Sequence, residues 1–200
     1  MFEIVHTCRI CGSGALRDVL DLGSQPPANH LRRPGESVPE AVPLDLRLCD
    51  ACETAQITAT IDPEVLFGTY LWVTGTSAGA RAYSSTFVDL VEAILGLWET
   101  VEGGDRRSVI EVASNDGTFL RRFAERGWTV LGVEPAANIA DQANSDGVPT
   151  LPEFFGVEVA ESIVVDQGHA DVVVARNVVP HVAEIHSVIE GLAITAGEDG

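Results

Sequence analysis

The sequence predicts an α/β protein: a small N-terminal domain organised by a metal, followed by a doubly wound parallel sheet. Three features predict it. Two Cys-x-x-Cys pairs stand at Cys8/Cys11 and Cys49/Cys52, and short apolar strands alternate with amphipathic helices from Ser108 onward. An acidic turn, Glu111–Gly117, is followed by a second carboxylate, Glu134, at the end of the next strand. With 46% apolar and 21% charged residues, the 200-residue chain can bury a core and is expected to be globular.

Composition already excludes several chemistries. All twelve basic residues are arginine. Without lysine there is no Schiff-base or pyridoxal chemistry, no P-loop lysine and no kinase ATP lysine. The formal charge of -18 is spread along the chain, so a phosphate backbone would be repelled and a nucleic-acid partner is not expected. The N-terminus lacks a basic region and long apolar run, and no stretch approaches a membrane span, so the expected location is cytoplasmic, with no membrane partner. Cysteines there stay reduced unless a metal holds them.

The two Cys-x-x-Cys pairs are separated by 37 residues. Two intervening residues let a tight turn aim both sulfurs at one point, and two such turns complete a tetrahedron of thiolates. Cys8, Cys11, Cys49 and Cys52 are therefore expected to hold one structural Zn²⁺, with His6 and His30 not needed as ligands. The alternative, a pair of redox motifs, wants a Cys-x-x-Cys opening a helix after a buried strand. Here Cys11 runs into Gly12-Ser13-Gly14. Between the pairs, 16–22 and 43–48 alternate as strands, while 23–43, with Pro26, Pro27, Pro34 and Pro39, reads as a long irregular loop. Residues 1–60 hold few large apolar residues, so their folding should be coupled to the metal.

Residues 61–103 read as a connecting helical segment. Asp62-Pro63 starts a short helix that ends near Gly68. From Ser77 to about Val101 a long helix is predicted, with a core-facing stripe of Tyr83, Phe87, Leu90, Val91, Ile94 and Trp98. Glu102–Asp105 breaks it, and 104–200 form the next domain. There the strands are 108–113, 129–134, 148–151 and 171–176, and the helices 117–126, 136–145, 157–165 and 183–195. Such alternation places ligands at the carboxyl ends of the strands.

Glu134 stands about twenty residues past the first turn, the place of a carboxylate that accepts from the ribose hydroxyls of an adenosine. The turn is not Gly-x-Gly-x-x-Gly: Ala113 and Ser114 are small, but only Gly117 is glycine. Asp116 adds negative charge where a pyrophosphate would sit. That charge suits a cationic ligand such as S-adenosylmethionine, although two ordinary surface acids would give the same pattern.

The runs CRICGS, LDLGSQPPANHL, PLDLRLCDAC, LFGTYLWVTGTS, VIEVASNDGTFL, VLGVEPAANIA and ADVVVARNVVPHV, in that order, resemble the zinc-containing nucleotide-sugar C-methyltransferases of deoxysugar biosynthesis. The resemblance runs from Cys8 to about His181. It implies a Rossmann-like (class I) methyltransferase domain after the zinc domain, and S-adenosylmethionine-dependent methylation of a ring carbon in a dTDP-keto-deoxyhexose. It assigns Glu111, Ala113, Ser114, Asn115, Asp116, Gly117, Glu134 and Asn177 to the cofactor, and His181 and Tyr70 to catalysis on the sugar side. A carbon beside a ketone becomes nucleophilic only when a base removes its proton and a partner stabilises the enolate.

This chain departs from the family in having Trp72 two residues after Tyr70 and Pro180 before His181. It is also about half the family's length, ending where a fifth strand should begin. A missing C-terminal half or a partner chain is therefore expected to complete the sheet and supply the principal base. The nucleotide sugar's diphosphate needs cations, for which Arg32, Arg33 and Arg81 are the candidates. Two other readings stand beside this one: a methyltransferase of another small acceptor, and a non-catalytic module that binds zinc and S-adenosylmethionine.

Overall fold

The computed structural model describes residues 2–28, 31–98, 107–198 and 200, with Leu97 and Trp98 described by backbone alone. The Asn29–His30 loop, the Glu102–Asp105 break and the side chain of Trp98 therefore lie outside the described residues. The chain divides into two compact units, Met1–Tyr70 and Leu71–Gly200.

The first unit holds five short strands and one helical turn: β1 (Phe2–Ile4), β2 (Leu16–Gln25), β3 (Val42–Cys49), β4 (Ala55–Ile57), β5 (Ala59–Ile61) and α1 (Pro63–Phe67). β1 pairs antiparallel with β5, and β2, β3 and β4 form a three-stranded antiparallel sheet. Strand β2 runs three residues beyond its predicted end at Leu22, through two register shifts against β3, which shortens the expected loop from both sides. Helix α1 starts as its sequence dictates: Asp62 Oδ1 accepts from the Glu64 amide (3.0 Å) and Pro63 takes the first turn. Little apolar surface is buried here. The buried hydrophobic residues are Cys8, Val42, Cys49 and Ala59, while Val19, Leu20 and Leu22 are each 51% exposed.

The second unit begins with α2 (Ala78–Trp98) and continues β6 (Ser108–Val112), α3 (Thr118–Glu125), β7 (Thr129–Val133), α4 (Ala137–Ser145), β8 (Thr150–Leu151), α5 (Val157–Gln167), β9 (Val172–Ala175) and α6 (Ile185–Ala196). The sheet is parallel throughout, in the order β8-β7-β6-β9. The third strand is only two residues long, shorter than predicted, because Val148 turns into the core under Gly117. Strand alternation divides the core. Val109, Val130, Val172 and Val174 face α2 and α3 with Val88, Leu120, Phe123 and Trp128. Ile110, Leu131, Val133 and Val173 face Ile163 of α5 on the other side. Phe123, 1% exposed, meets Trp128 edge-on at 5.1 Å, and burying a side chain of that size stabilises by about 1.5–3 kcal/mol.

The predicted stripe of α2 holds in part: Phe87 and Val91 pack half-buried against the core as expected, whereas Tyr83, Leu90 and Ile94 are 54%, 54% and 47% exposed, and Ser84 and Val88 are buried in their stead with Leu95 half-buried beside them. Both rows have helical spacing and both are apolar, so periodicity alone cannot choose between them. The choice is made by Arg122 of α3, whose Nε donates to Ser84 Oγ (3.3 Å), and by the Phe87–Phe119 and Phe87–Phe123 ring contacts.

Strands β6, β7 and β8 progress to one side of the sheet, and β9 returns to the other side of β6. The topological switch therefore lies between the carboxyl ends of β6 and β9, where open α/β sheets bind their ligands.

Candidate functional site

In the first unit the four cysteines converge as expected. Their sulfurs all lie within 4.8 Å of one another, with Cys8–Cys52 at 3.5 Å and Cys11–Cys49 at 3.6 Å. A tetrahedral Zn–S₄ centre with bonds of ~2.3 Å requires S···S distances of ~3.8 Å, so this all-sulfur donor set fits zinc in a closed, structural site.

The two turns that deliver the sulfurs have the same hydrogen bonds. The Cys8 amide donates to Ser13 O (2.8 Å) and the Gly12 amide to Cys8 O (2.9 Å). The Cys49 amide donates to Thr54 O (2.9 Å) and the Glu53 amide to Cys49 O (2.8 Å). The fourth residue after the leading cysteine is left-handed in both, Gly12 at φ 72° and Glu53 at φ 61°. A non-glycine side chain there costs roughly 1–2 kcal/mol. Around the sulfurs, the Thr54 hydroxyl lies 3.2 Å from Cys52 Sγ and, with the Thr54 amide, lowers that thiol to about 6. Gln56, 7% exposed, braces the first turn: its Oε1 accepts from the Arg9 amide (2.8 Å) and its Nε2 donates to Thr7 O (3.0 Å). Nothing in the cysteine spacing marks Gln56. Its only sequence signal is a polar residue at the inward position of a short alternating strand.

In the second unit the turn after β6 holds three left-handed residues in five, Ala113 (φ 56°), Asn115 (φ 53°) and Gly117 (φ 70°). Each is fixed by neighbours. The Ala113 amide donates to Val133 O (2.8 Å), and a Cβ on Gly117 would stand 2.7 Å from Val148 Cγ1. The glycine absent from the turn itself is found across from it on β7. A Cβ on Gly132 would come within 2.3 Å of Ser114 Oγ, so Gly132 is what lets Ser114 sit against the sheet.

The predicted cofactor residues assemble here, with different duties. Glu134, 6% exposed, accepts from the Asn115 amide at Oε2 (2.9 Å) and from the Ala136 amide at Oε1 (3.0 Å). Burial raises its carboxyl, and those two amides oppose the rise. Asp116 Oδ1 caps α3 by accepting from the Thr118 amide (3.2 Å) and hydroxyl (2.7 Å), and its Oδ2 accepts from the Gly75 amide (3.0 Å). Asn115 accepts from the Thr74 amide (2.8 Å) and donates to Trp72 O (3.0 Å). The two side chains together tie the segment Trp72–Thr76 to the turn. Gly75 belongs to this arrangement, since a Cβ there would lie 2.4 Å from Asp116 Oδ2. Neither that strap nor Gly75 was visible as a partner of the turn in the sequence.

Glu111 is 1% exposed on the central strand, and Arg176, directly after β9, reaches it. Arg176 Nε donates to Glu111 Oε1 at 3.0 Å, with its Nη2 on the same oxygen. Glu111 Oε2 and Ser114 Oγ are both buried without a hydrogen-bond partner among the described residues. Burial pushes the Glu111 carboxyl up to about 7, against the pull of the Arg176 guanidinium; the charges of Asp116 and Glu134 add to the rise. Two orphaned acceptors at the switch point are what a ligand carrying N–H or O–H donors would satisfy.

Asn177, left-handed at φ 53°, and His181, on a single 3-10 turn (Val179–His181) that includes Pro180, are exposed beyond β9. Tyr70 belongs to the first unit, its ring 6.2 Å from Phe67. Arg32 donates to Glu36 O (3.2 Å), Arg33 is exposed, and Arg81 donates to Gly75 O (2.5 Å).

Comparison with known proteins agrees with both halves of this description. Residues 8–67 match a family described as "Putative zinc binding domain", and residues 83–200 match the methyltransferase domain family. The chain is 35% identical over 98% of its length to C-methyltransferase NovU of Streptomyces niveus, and spans 46% of that protein. Among solved structures, partial likenesses are found to two chains. One is the magnesium protoporphyrin IX methyltransferase of Synechocystis PCC 6803 (TM-score 0.41, 20% identity, 56% of this chain and 54% of that one). The other is DesVI of Streptomyces venezuelae (TM-score 0.40, 16% identity, 60% and 48%). With residues 83–200 matched by the methyltransferase model, the chain belongs to the methyltransferase domain family.

Proposed function

We propose that this chain carries the zinc-binding and cofactor-binding parts of an S-adenosylmethionine-dependent C-methyltransferase acting on a dTDP-keto-deoxyhexose. The observation that carries the reading is the switch-point cluster: two buried, unpartnered acceptors, Glu111 Oε2 and Ser114 Oγ, beside a carboxylate, Glu134, in an α/β sheet of the methyltransferase family. The name of the relative NovU supplies C-methylation; the sugar comes from the sequence resemblance.

S-adenosylmethionine, when bound, supplies an electrophilic methyl group on a sulfonium. The chain's own residues account for its placement. Glu134, held by two amides, keeps lone pairs free for ribose hydroxyls, and Glu111 and Ser114 accept from donors at the methionine end. The negative charge of Glu111, Asp116 and Glu134 favours a cationic ligand over a pyrophosphate. An imidazole nitrogen of His181, exposed beyond the carboxyl end of β9, takes the proton from the carbon beside the ketone or donates to the ketone oxygen. Tyr70 is assigned to the sugar side. In the first unit Cys8, Cys11, Cys49 and Cys52 hold zinc for folding and leave no coordination position open to a substrate.

The test is methyl transfer from labelled S-adenosylmethionine by the full-length protein. A panel of dTDP-keto-deoxyhexoses is set against non-sugar acceptors, with His181→Asn in parallel. Label on a ring carbon, with turnover in His181→Asn reduced about 10²–10⁴-fold, is the expected result. Label on a non-sugar acceptor alone would overturn the substrate assignment. Undiminished turnover in the variant would remove His181 from the proton transfer.

A further inference from the structure

The strap Trp72–Thr76 is tied to the turn after β6 through two neighbouring side chains. Asn115 Oδ1 accepts from the Thr74 amide (2.8 Å), Asn115 Nδ2 donates to Trp72 O (3.0 Å), and Asp116 Oδ2 accepts from the Gly75 amide (3.0 Å). On its other side Arg81 of α2 donates from Nη1 to Gly75 O (2.5 Å). Among the described residues, none of the strap belongs to either apolar cluster, and Trp72 is 58% exposed. A segment held by bonds that water can replace opens at far lower cost than a core strand.

One of the two side chains belongs to a residue that also holds Glu134. The Asn115 amide donates to Glu134 Oε2 (2.9 Å) while its side chain holds the strap, so a single residue stands between Glu134 and Trp72–Thr76. Asn115 is left-handed at φ 53°, a conformation that persists only where its neighbours fix it. Asp116 is shared in the same way: its Oδ1 caps α3 and its Oδ2 takes the strap. A Cβ on Gly75 would lie 2.4 Å from Asp116 Oδ2 and 2.8 Å from Thr118 Oγ1, so the strap reaches the turn only with glycine there.

We propose that Asn115 and Asp116 are positioning residues, whose side chains couple cofactor occupancy at Glu134 to the docking of the strap. The proposal rests on the cofactor assignment made above and deepens it. Hydroxyl donors on Glu134 hold its carboxylate in place. That keeps the Asn115 amide on Oε2, and with it the left-handed backbone that aims the side chain at Thr74 and Trp72. Ordering the turn then serves ligand and strap together, which is positive coupling without a direct contact between them. Such coupling is reciprocal: the factor by which the ligand tightens the strap is the factor by which the docked strap tightens the ligand. The two side chains thus act through the strap, a different duty from the direct cofactor contact expected from the sequence.

The test is amide exchange at Thr74 and Gly75 in the zinc-loaded chain, with and without saturating S-adenosylhomocysteine, the demethylated cofactor. Calorimetric titration with the same ligand runs beside it. In wild type, saturation should slow exchange at both amides about tenfold. Gly75→Ala pushes the strap off Asp116 and leaves every side chain of the turn intact. It should abolish the gain in protection and weaken S-adenosylhomocysteine binding by the same factor. Arg81→Gln loosens the strap from α2 and covers the case in which Gly75→Ala does not fold. Its protection gain and its affinity should fall together, by about two- to fivefold. A merely structural strap would lower stability in both variants and leave affinity unchanged. That result, or wild-type exchange at Thr74 and Gly75 that ignores the bound ligand, would overturn the proposal while leaving the cofactor assignment in place. Wild-type protein that does not bind S-adenosylhomocysteine would overturn the cofactor assignment and this proposal with it.

Discussion

The unit Met1–Tyr70 buries Cys8, Val42, Cys49, Ala59 and little else that is apolar, whereas Leu71–Gly200 encloses two apolar clusters on opposite faces of a parallel sheet. Hydrophobic burial cannot order the first unit, whose long hairpin leaves Val19, Leu20 and Leu22 half in water. Its fixed point is four sulfurs, delivered by two turns with the same hydrogen bonds. The second unit has two apolar clusters to order it, and it can hold strained, unsatisfied groups at the switch point because the surrounding core stabilises them. Where the core is thin, polar chemistry makes the fold. Where it is thick, polar chemistry is left over for a ligand.

Removing the metal should break the comparison most strongly. Cys49→Ser takes one of four ligands from a site whose metal contributes folding energy on the order of 10 kcal/mol. It should release zinc, measured by elemental analysis, and unfold the first unit. A Cys49→Ser protein with full metal content and wild-type stability would contradict the account. Next in size is Phe123→Ala, which empties the centre of the larger cluster. It should cost about 3–5 kcal/mol in urea unfolding while metal content stays unchanged. Asn115→Ala removes both side-chain bonds to the strap Trp72–Thr76 and should cost about 1–3 kcal/mol. It should also raise amide exchange at Thr74 and Gly75 above that of β6.

Glu111 gives a smaller effect with a definite sign. Its carboxyl is raised to about 7 when folded, so the folded chain binds more protons than the unfolded one between the ordinary carboxylate range and 7. Its contribution to stability is therefore present at low pH and lost as pH rises through that window. Glu111→Gln should flatten the fall in unfolding free energy between pH 5 and pH 8. An unchanged pH profile would mean that the carboxylate is already ionised throughout. The smallest change expected is Glu53→Gly, which relieves a left-handed side chain in the second cysteine turn and should alter chemical stability by no more than about 1 kcal/mol.

Much of this architecture could be read from the chain alone. Strands β6, β7 and β9 and helices α3 to α6 lie within two residues of their predicted ends, because each is a short apolar run or amphipathic segment closed by glycine or a polar turn. The four-cysteine cluster follows from spacing. What could not be read depends on which elements become neighbours. Only part of the α2 stripe, Phe87 and Val91, was legible, because Tyr83, Leu90 and Ile94 are as apolar as Val88 and Leu95 and lie one row away. The Glu111–Arg176 pair joins residues 65 apart and exists only because β9 returns beside β6. Gly75 and Gly132 are ordinary glycines in a sequence and become necessary only where Asp116 and Ser114 crowd them. Gln56 likewise has no motif; its duty comes from the strand that carries it past Thr7 and Arg9.

The contrast between a metal-ordered unit and a core-ordered unit is tested most directly by amide hydrogen exchange of the whole chain, before and after a zinc chelator. Amides of β2, β3, β4 and both cysteine turns should lose protection together on chelation. Those of β6, β7, β9 and α3 should keep theirs. Protection lost throughout the chain, or retained around Cys8 and Cys49 once the metal is gone, would contradict the account.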